Sequence, residues 1–338
     1  MKESYGVLPG GQQAHLYSIS CSGITARISD FGATLVNLYV PSRAGQTDDV
    51  VLAWQDCNDC IAKRGFLGAT MGRNVNRIAG ASFVLNGQRI QLPKNNGEHN
   101  LHSGPDPYGY RIWQVTDHRP DSITFSLHSP DGDQGFPGNA DILVTYRLEG
   151  STLRITYDAI SDKDTVFNLT NHSYFNLAGH HRPELAGDMQ LMMPSRYFTV
   201  TDREGIPTGQ MEDVEGTPMD FRIPKPIGRD VGDAYEPLAL RKGFDHNYQV
   251  CGNPAAVLQD PHSGRIMEIS TDMPGIQIYY AGHPNGQVGK DGVCYIKGSG
   301  IAFETQFYPD SVNHPEWPQP FVKAGQRFQS ETSYKFSW

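Results

Sequence analysis

Asp141-Ile142-Leu143-Val144-Thr145-Tyr146-Arg147-Leu148 is followed by Glu149-Gly150 and then by Thr152-Leu153-Arg154-Ile155-Thr156-Tyr157. Apolar and polar residues alternate on both sides of the Glu-Gly pair. That is the period of a strand with one face buried, so the stretch predicts a β-hairpin. The period recurs in both directions. Ser82-Phe83-Val84-Leu85, Asn86-Gly87 and Gln88-Arg89-Ile90-Gln91-Leu92 predict a second hairpin, because Asn-Gly accepts the positive φ values of a type I′ turn. Residues 122–127 alternate as well, and late strands are predicted at 265–271, 275–280, 300–304 and 327–336. Helical periodicity is confined to short turns near Gln55-Asp56 and Pro237-Leu238. Many short strands spaced by turn signals predict an all-β fold, either a sandwich or a barrel. No repeat, low-complexity tract or linker divides the chain, so residues 1–338 read as a single large antiparallel β domain.

Composition agrees with many strands joined by tight turns. The 338 residues include 36 Gly and 23 Pro, and only 19% are charged. A net charge of −9 with no basic stripe argues against nucleic acid and against an anionic membrane surface as partners. No run approaches the ~18 apolar residues that span a bilayer. The first residues, Met1-Lys2-Glu3-Ser4-Tyr5-Gly6-Val7-Leu8, lack the apolar core and cleavage site of a secretory leader. The expectation is a soluble, cytoplasmic protein with no nucleic-acid or membrane partner. Five scattered cysteines do not form a disulfide framework. Cys57-Asn58-Asp59-Cys60 has CxxC spacing, but neither a second ligand pair nor a βαβ context accompanies it, so these read as surface or core thiols.

Polar clusters interrupt the strands. In Asn168-Leu169-Thr170-Asn171-His172-Ser173-Tyr174-Phe175-Asn176-Leu177, a histidine stands among amides and hydroxyls. Those side chains could fix its ring and grip a polyhydroxylated ligand, and the ring itself titrates near neutrality. The plainer alternative is a polar turn with a satisfied histidine. In Ile301-Ala302-Phe303-Glu304, the carboxylate ends a largely apolar strand, where raised proton affinity suits a general base; a solvated edge glutamate is the alternative. Gly72-Arg73-Asn74-Val75-Asn76-Arg77 offers several donors for hydroxyls or a carboxylate, or else a structural ion pair. His99 and His102 lie three apart without a placeable third ligand, which favours a ligand-facing loop over a metal site. Asp245, in Phe244-Asp245-His246-Asn247, could accept bonds from two adjacent hydroxyls or cap a turn. No nucleotide loop and no complete metal set is evident, so no cofactor and no metal is expected.

In combination these motifs resemble the aldose 1-epimerase (galactose mutarotase) family. The matching pieces are Gly-Arg-x-x-Asn-Arg at 72–77, Asn100 with Leu101-His102-Ser103-Gly104, Gly-Asp-Gln-Gly-Phe-Pro-Gly-Asn at 132–139, and the stretch at 168–177. Phe-Asp-His-Asn at 244–247, Pro-Gly-Ile-Gln at 274–277 and Glu-Thr-Gln-x-x-Pro-Asp-x-x-Asn at 304–313 complete the set. They occur in the family's order from about residue 30 onward. The resemblance implies a large antiparallel β-sandwich, the galactose mutarotase-like supersandwich, with an open sugar site. It implies that His172 is the general acid and Glu304 the general base, that Asn76, Arg77, His102, Asp245 and Gln277 contact sugar hydroxyls, and that Tyr174 and Gln306 line the wall. The implied partner is a small aldose such as D-glucose or D-galactose, and the implied state is a monomer or homodimer. One departure is visible. The family's Leu-His-Gly-Gly is here Leu-His-Ser-Gly, so Ser103 places a side chain beside His102 where the loop normally has none.

The implied chemistry needs few groups. Exchanging anomers opens a cyclic hemiacetal: a base takes the C1 hydroxyl proton while an acid protonates the ring oxygen. Rotation about C1–C2 and closure on the other face reverse both transfers. In the resting enzyme this scheme has His172 protonated and Glu304 ionised, and it predicts a bell-shaped pH dependence. Three other readings use the same clusters. A non-catalytic carbohydrate module would favour exposed aromatic platforms, yet none of the four tryptophans neighbours these motifs. A glycoside hydrolase would pair Asp245 with Glu304. A phospho-sugar epimerase would draw on Arg73 and Arg77.

Overall fold

The computed structural model describes residues 2–338. The predicted hairpin lies inside a nine-stranded antiparallel sheet, where Ala140–Glu149 and Thr152–Ser161 pair without a break from Ala140↔Ser161 to Glu149↔Thr152. The last strand, Arg327–Ser337, closes onto Thr152–Ser161, and Ile266–Thr271 follows on its other side. A seven-stranded sheet carries Pro207–Asp213, Tyr197–Thr201, Phe244–Gln249, Gly275–Tyr280, Ile301–Gln306, Tyr174–Phe175 and Val51–Leu52 in that order. Residues 2–49 form a five-stranded meander.

The two large sheets pack face to face as a sandwich. Thr305 and Thr332, one from each sheet, share a 2.5 Å hydroxyl contact, and the rings of Phe175 and Tyr334 lie 5.0 Å apart. One buried cluster joins Val144, Ile155 and Tyr334 of the larger sheet to Phe198, Ile276 and Phe303 of the smaller, with Ile24 and Leu38 from the meander. Burying each such side chain contributes about 1.5–3 kcal/mol, so this interface dominates the stability.

Helix is sparse, as expected. Cys57–Lys63 begins two residues later than the predicted turn because Asp56 is its cap: the carboxylate accepts the Asn58 and Asp59 amides at 2.9 Å each. Cys57 and Cys60 face the core from this helix, and burial pushes their thiols up to about 11 and about 12. They are core thiols, unreactive at neutral pH. The second helix is Glu236–Arg241. Among the described residues, no helix is long and apolar enough to cross a membrane.

Strand parity sets what faces the site. Every residue of Ile301–Gln306 is buried, because both faces of the strand are covered. Ile301, Phe303 and Thr305 point between the sheets, which leaves Ala302, Glu304 and Gln306 on the opposite face. In the neighbours, Ile276 and Ile278, and Phe244 and Tyr248, fill the core, so Gln277, Tyr279, Asp245 and Asn247 share the face of Glu304. Register then lines up Asn247, Gln277 and Glu304 in one row and Asp245, Tyr279 and Ala302 in the next.

The two arginines of Gly72–Arg77 separate into different roles. Arg73 is fully buried and donates to the carbonyls of Pro137 (2.7 Å) and Gly138 (3.1 Å), to Ser129 Oγ (2.6 Å) and to Thr165 Oγ1 (3.2 Å). It ties the irregular 132–139 segment to the sandwich, a structural role carried by carbonyls and hydroxyls rather than by the ion pair set as the alternative. Arg73→Leu would leave several of those buried acceptors without a donor, each costing about 1–3 kcal/mol. A loss of at least about 3 kcal/mol in urea unfolding is expected. An unchanged midpoint at an unchanged slope would remove Arg73 from this structural role.

Candidate active site

Glu304 reaches the site from a regular strand, whereas His172 reaches it from a break. Thr170–Asn171 pairs with Thr70–Met71, and the ladder resumes at Tyr174–Phe175 against Ile301 and Ala302. Between them the backbone of His172 is held on both sides: its N–H donates to Ala69 O and its carbonyl accepts from Gly68 N, each at 2.9 Å. Gly68 has φ +82°, and a Cβ there would stand 2.1 Å from Leu35 O, so only glycine fits. The surrounding amides serve this break rather than a ligand. Asn171 donates to Gly68 O at 2.7 Å and accepts from Ser173 N at 3.0 Å. Asn176 donates to Arg182 O and Ser299 O at 3.0 Å each, and Asn168 accepts from Phe307 N at 2.9 Å. The sequence reading of these amides as sugar-gripping groups is corrected here: irregular backbone must be satisfied when buried, and they satisfy it.

His172 and Glu304 meet with Nε2 and Oε1 3.5 Å apart, both nearly inaccessible. His172 stacks on Tyr174 with ring centroids 5.2 Å apart, and Tyr279 and Phe66 stand at 6.4 Å. Burial in this aromatic surround lowers the imidazole to about 4. It raises the Glu304 carboxyl to about 8, an effect that the negative charge of Asp245 reinforces and Arg77 opposes. Burial thus favours neutral His172 and protonated Glu304 over the ion pair, the opposite direction to the expected resting state of protonated His172 and ionised Glu304. The reason is desolvation, which favours two neutral groups over an ion pair.

Asp245 is the charged member. Arg241 donates to its Oδ2 and Gln277 Nε2 to its Oδ1, both at 2.7 Å, and Arg77 lies 3.7 Å away. Burial alone would raise this carboxyl, but Arg77 and Arg241 hold it down at about 2. Gln277 thus stands behind Asp245 and off the cavity wall, unlike the hydroxyl-contacting position the resemblance implies. Gln306 stands one step further back, 3.4 Å from the Gln277 carbonyl. Asn76 turns its side-chain oxygen onto the Arg77 amide at 2.8 Å, and Arg77 Nε donates to Asn96 at 3.2 Å.

His102 is buried at 5.7 Å from the His172 ring, and burial, His172 and Arg77 push it well below its usual range. Its Nδ1 accepts the Asn76 amide at 3.2 Å, so the neutral ring carries its proton on Nε2. His102, His172 and Glu304 do bring ligand-type atoms within 4.8 Å of one another, a trio that sequence spacing could not foresee. With Nδ1 of His102 occupied and Nε2 protonated, however, the ring is set as a hydrogen-bond donor rather than a metal ligand.

A cavity of about 160 Å³ opens over these groups, lined by Asn76, Arg77, His102, His172, Tyr174, Asp245 and Glu304, with Phe66, Tyr279 and His283 completing the wall. The structure therefore gathers the sequence-named residues except Gln277 and Gln306, the second of which was expected to line the wall. Sequence reasoning missed Phe66, Tyr279, His283 and Arg241. Tyr279 was findable, since it lies two residues from Gln277 on one strand face. The other three sit on irregular segments or a helix end with no periodic signal.

This arrangement offers a proton-transfer pair, one fixed anion and several donors around a small space walled in part by aromatic rings, which suits a neutral polyol. Comparison with known proteins agrees. The aldose 1-epimerase family model matches residues 15–335. An aldose 1-epimerase of Haemophilus influenzae is 38% identical over 93% of this chain and 93% of its own length. The galactose mutarotase of Bos taurus is 35% identical over 98% and 97%. Among solved structures, a GalM/aldose epimerase homologue from C. elegans superposes with a TM-score of 0.88 at 31% identity, covering 96% of this chain and 99% of the other. A galactose 1-epimerase from Lactobacillus acidophilus gives 0.87 at 27% identity, covering 100% and 98%. The chain belongs to the aldose 1-epimerase family and is an isomerase of aldose sugars.

Proposed function

We propose that this chain interconverts the α and β anomers of hexoses such as D-glucose and D-galactose, with His172 as the acid at the ring oxygen and Glu304 as the base at the C1 hydroxyl. The observation that carries this reading is the buried His172–Glu304 pair, 3.5 Å apart and holding one proton between pKa values of about 4 and about 8.

Proton accounting links the resting state to the reaction. Ring opening starts from His172-H⁺ with ionised Glu304: Glu304 takes the O1 proton, the C1–O5 bond breaks, and His172 protonates O5. The open-chain aldehyde then lies beside protonated Glu304 and neutral His172, the two neutral forms that burial favours. Rotation about C1–C2 and attack of the O5 hydroxyl return both protons and re-form the ion pair. The two microstates contain the same number of protons, so the cycle needs no exchange with solvent. Sugar hydroxyls donating to the unpartnered Glu304 Oε2 lower its proton affinity and make the ion-pair form accessible on binding. Asp245, anionic and rigidly held, accepts from sugar hydroxyls, while Arg77 and His102 Nε2 donate.

Specific contacts weigh against the alternatives. A hydrolase would use Asp245 as the second carboxylate, but both of its oxygens are already bonded, Oδ2 to Arg241 and Oδ1 to Gln277. A phospho-sugar site would want Arg73 as a second cation, and Arg73 is committed to backbone carbonyls elsewhere. The described chain contributes the whole cavity wall by itself, so a monomer or a homodimer serves this reading equally, and it functions as one domain. A cytoplasmic setting belongs to the same reading and is supported by five cysteines that are all unpaired.

Polarimetry of freshly dissolved α-D-glucose and α-D-galactose tests the core of the proposal. Wild type should accelerate the approach to equilibrium rotation, and His172→Ala and Glu304→Gln should each lose on the order of 10²–10⁴ of that gain. Retention of most activity by either variant would remove that residue from the acid–base pair.

The pH dependence follows from the shared proton. Activity requires the singly protonated pair, so kcat/KM should be level between about 4 and about 8, fall on the acid side as His172 gains a second proton, and fall on the alkaline side as Glu304 loses its own. An acid limb near 6.5, where a free imidazole titrates, would contradict a desolvated pair.

Asp245→Asn should raise KM about tenfold or more, the size of one lost charge-assisted hydrogen bond, with a smaller change in kcat. A KM within twofold of wild type for both sugars would exclude Asp245 as a hydroxyl acceptor.

A further inference from the structure

We infer that Ser103 is a positioning residue for His102, acting through a clasp between two backbone segments; the inference rests on the reading of the cavity as a sugar site. The regular ladder between the 77–78 and 100–101 strands ends at Arg77↔Leu101. Beyond it the chains stay together by other means. His102 N donates to Asn76 O at 3.0 Å, and Asn76 N donates to His102 Nδ1 at 3.2 Å. One step further, the Ser103 hydroxyl replaces a missing rung: it accepts from Asn74 N at 2.8 Å and donates to Asn74 O at 3.0 Å. Both residues are buried, with Ser103 1% and Asn74 3% exposed. The hydroxyl is the sole protein partner of those two backbone groups among the described residues.

The clasp matters because the segment it holds is unfavourable by itself. Asn76, His102 and Ser103 have φ values of +63°, +51° and +72°, a region that side-chain-bearing residues adopt only when their surroundings enforce it. The Asn76–His102 bond lies directly beside the serine rung, and that bond determines which ring nitrogen of His102 keeps the proton. Ser103 thereby fixes both the backbone and the tautomer that present Nε2–H as a donor. Where the family's loop has glycine, this chain has built the tie from a side chain.

Two variants separate the hydroxyl from the backbone geometry. Ser103→Ala deletes the hydroxyl and keeps a side chain at positive φ. Ser103→Gly deletes it and relieves the φ requirement, so it yields a measurable protein even where the alanine variant folds poorly. Both are expected to raise KM for galactose about tenfold with kcat within about twofold of wild type. Both should also convert the ¹⁵N spectrum of the His102 ring from a pure Nε2–H form into a tautomer mixture. Wild-type KM and an unchanged ring spectrum in Ser103→Gly would overturn the proposal, leaving position 103 with a backbone role only. The ring spectrum reads the clasp without turnover. Absence of mutarotation in wild type would therefore sink the sugar-site reading while the spectrum still decides the clasp.

Discussion

Everything in the site depends on a carboxyl group buried on a strand that is covered on both faces. Glu304 is nearly withdrawn from water, so its charge must be met inside the protein or suppressed by a proton. His172 is under the same constraint with the opposite sign. Placed 3.5 Å apart, the two groups meet it together by holding one proton between them. A surface pair of the same residues would sit as an ordinary salt bridge, worth little and fixed in its charged form. Desolvation brings the neutral and ionic forms close enough in energy for a reaction to pass through both.

The rest of the sandwich keeps that arrangement rigid. Regular strands place Glu304, Asp245 and Tyr279 by parity and register. Irregular segments place His172 and His102, and these need explicit support because strand ladders are absent there. Gly68 allows the backbones to meet, the amides of Asn168, Asn171 and Asn176 satisfy the groups exposed by the break, and Arg73 ties down a neighbouring loop. Polar side chains in a sugar-binding protein can therefore serve backbone far more than ligand.

That division also explains what could be read from the chain. The hairpin at 140–161, the strand at 275–280 and the placement of Glu304 on one strand face were legible, since a period of two reports directly on which side is covered. Gln277 was named for the site through its motif's resemblance to a hydroxyl-contacting position, but a motif match gives no depth, and Gln277 lies behind Asp245. Arg241, at the end of a short helix, and Phe66, at φ +55°, have no periodic signature at all. The location of the resting proton was also beyond the sequence. It depends on how much water reaches two side chains from distant parts of the chain, a property of the assembled fold.

The two carboxylates of the cavity divide their work by environment. Asp245 and Glu304 lie on the same face of two strands separated by Gly275–Tyr280, yet they are held at about 2 and about 8. Two guanidinium groups overcome burial to give the first value, and burial with the nearby charge of Asp245 gives the second. Titratable groups pushed apart in this way take different chemical roles: the one fixed as an anion can only accept hydrogen bonds, and the one near neutrality can exchange a proton. Their coupling has a further consequence. The negative charge of Asp245 raises Glu304, so the arginines that clamp Asp245 act on the proton-transfer group at one remove. Arg77, which pairs with Asp245, also opposes that rise at Glu304 directly. The sugar-holding anion and the proton-transfer pair are thus parts of one electrostatic balance, set where both are withdrawn from water.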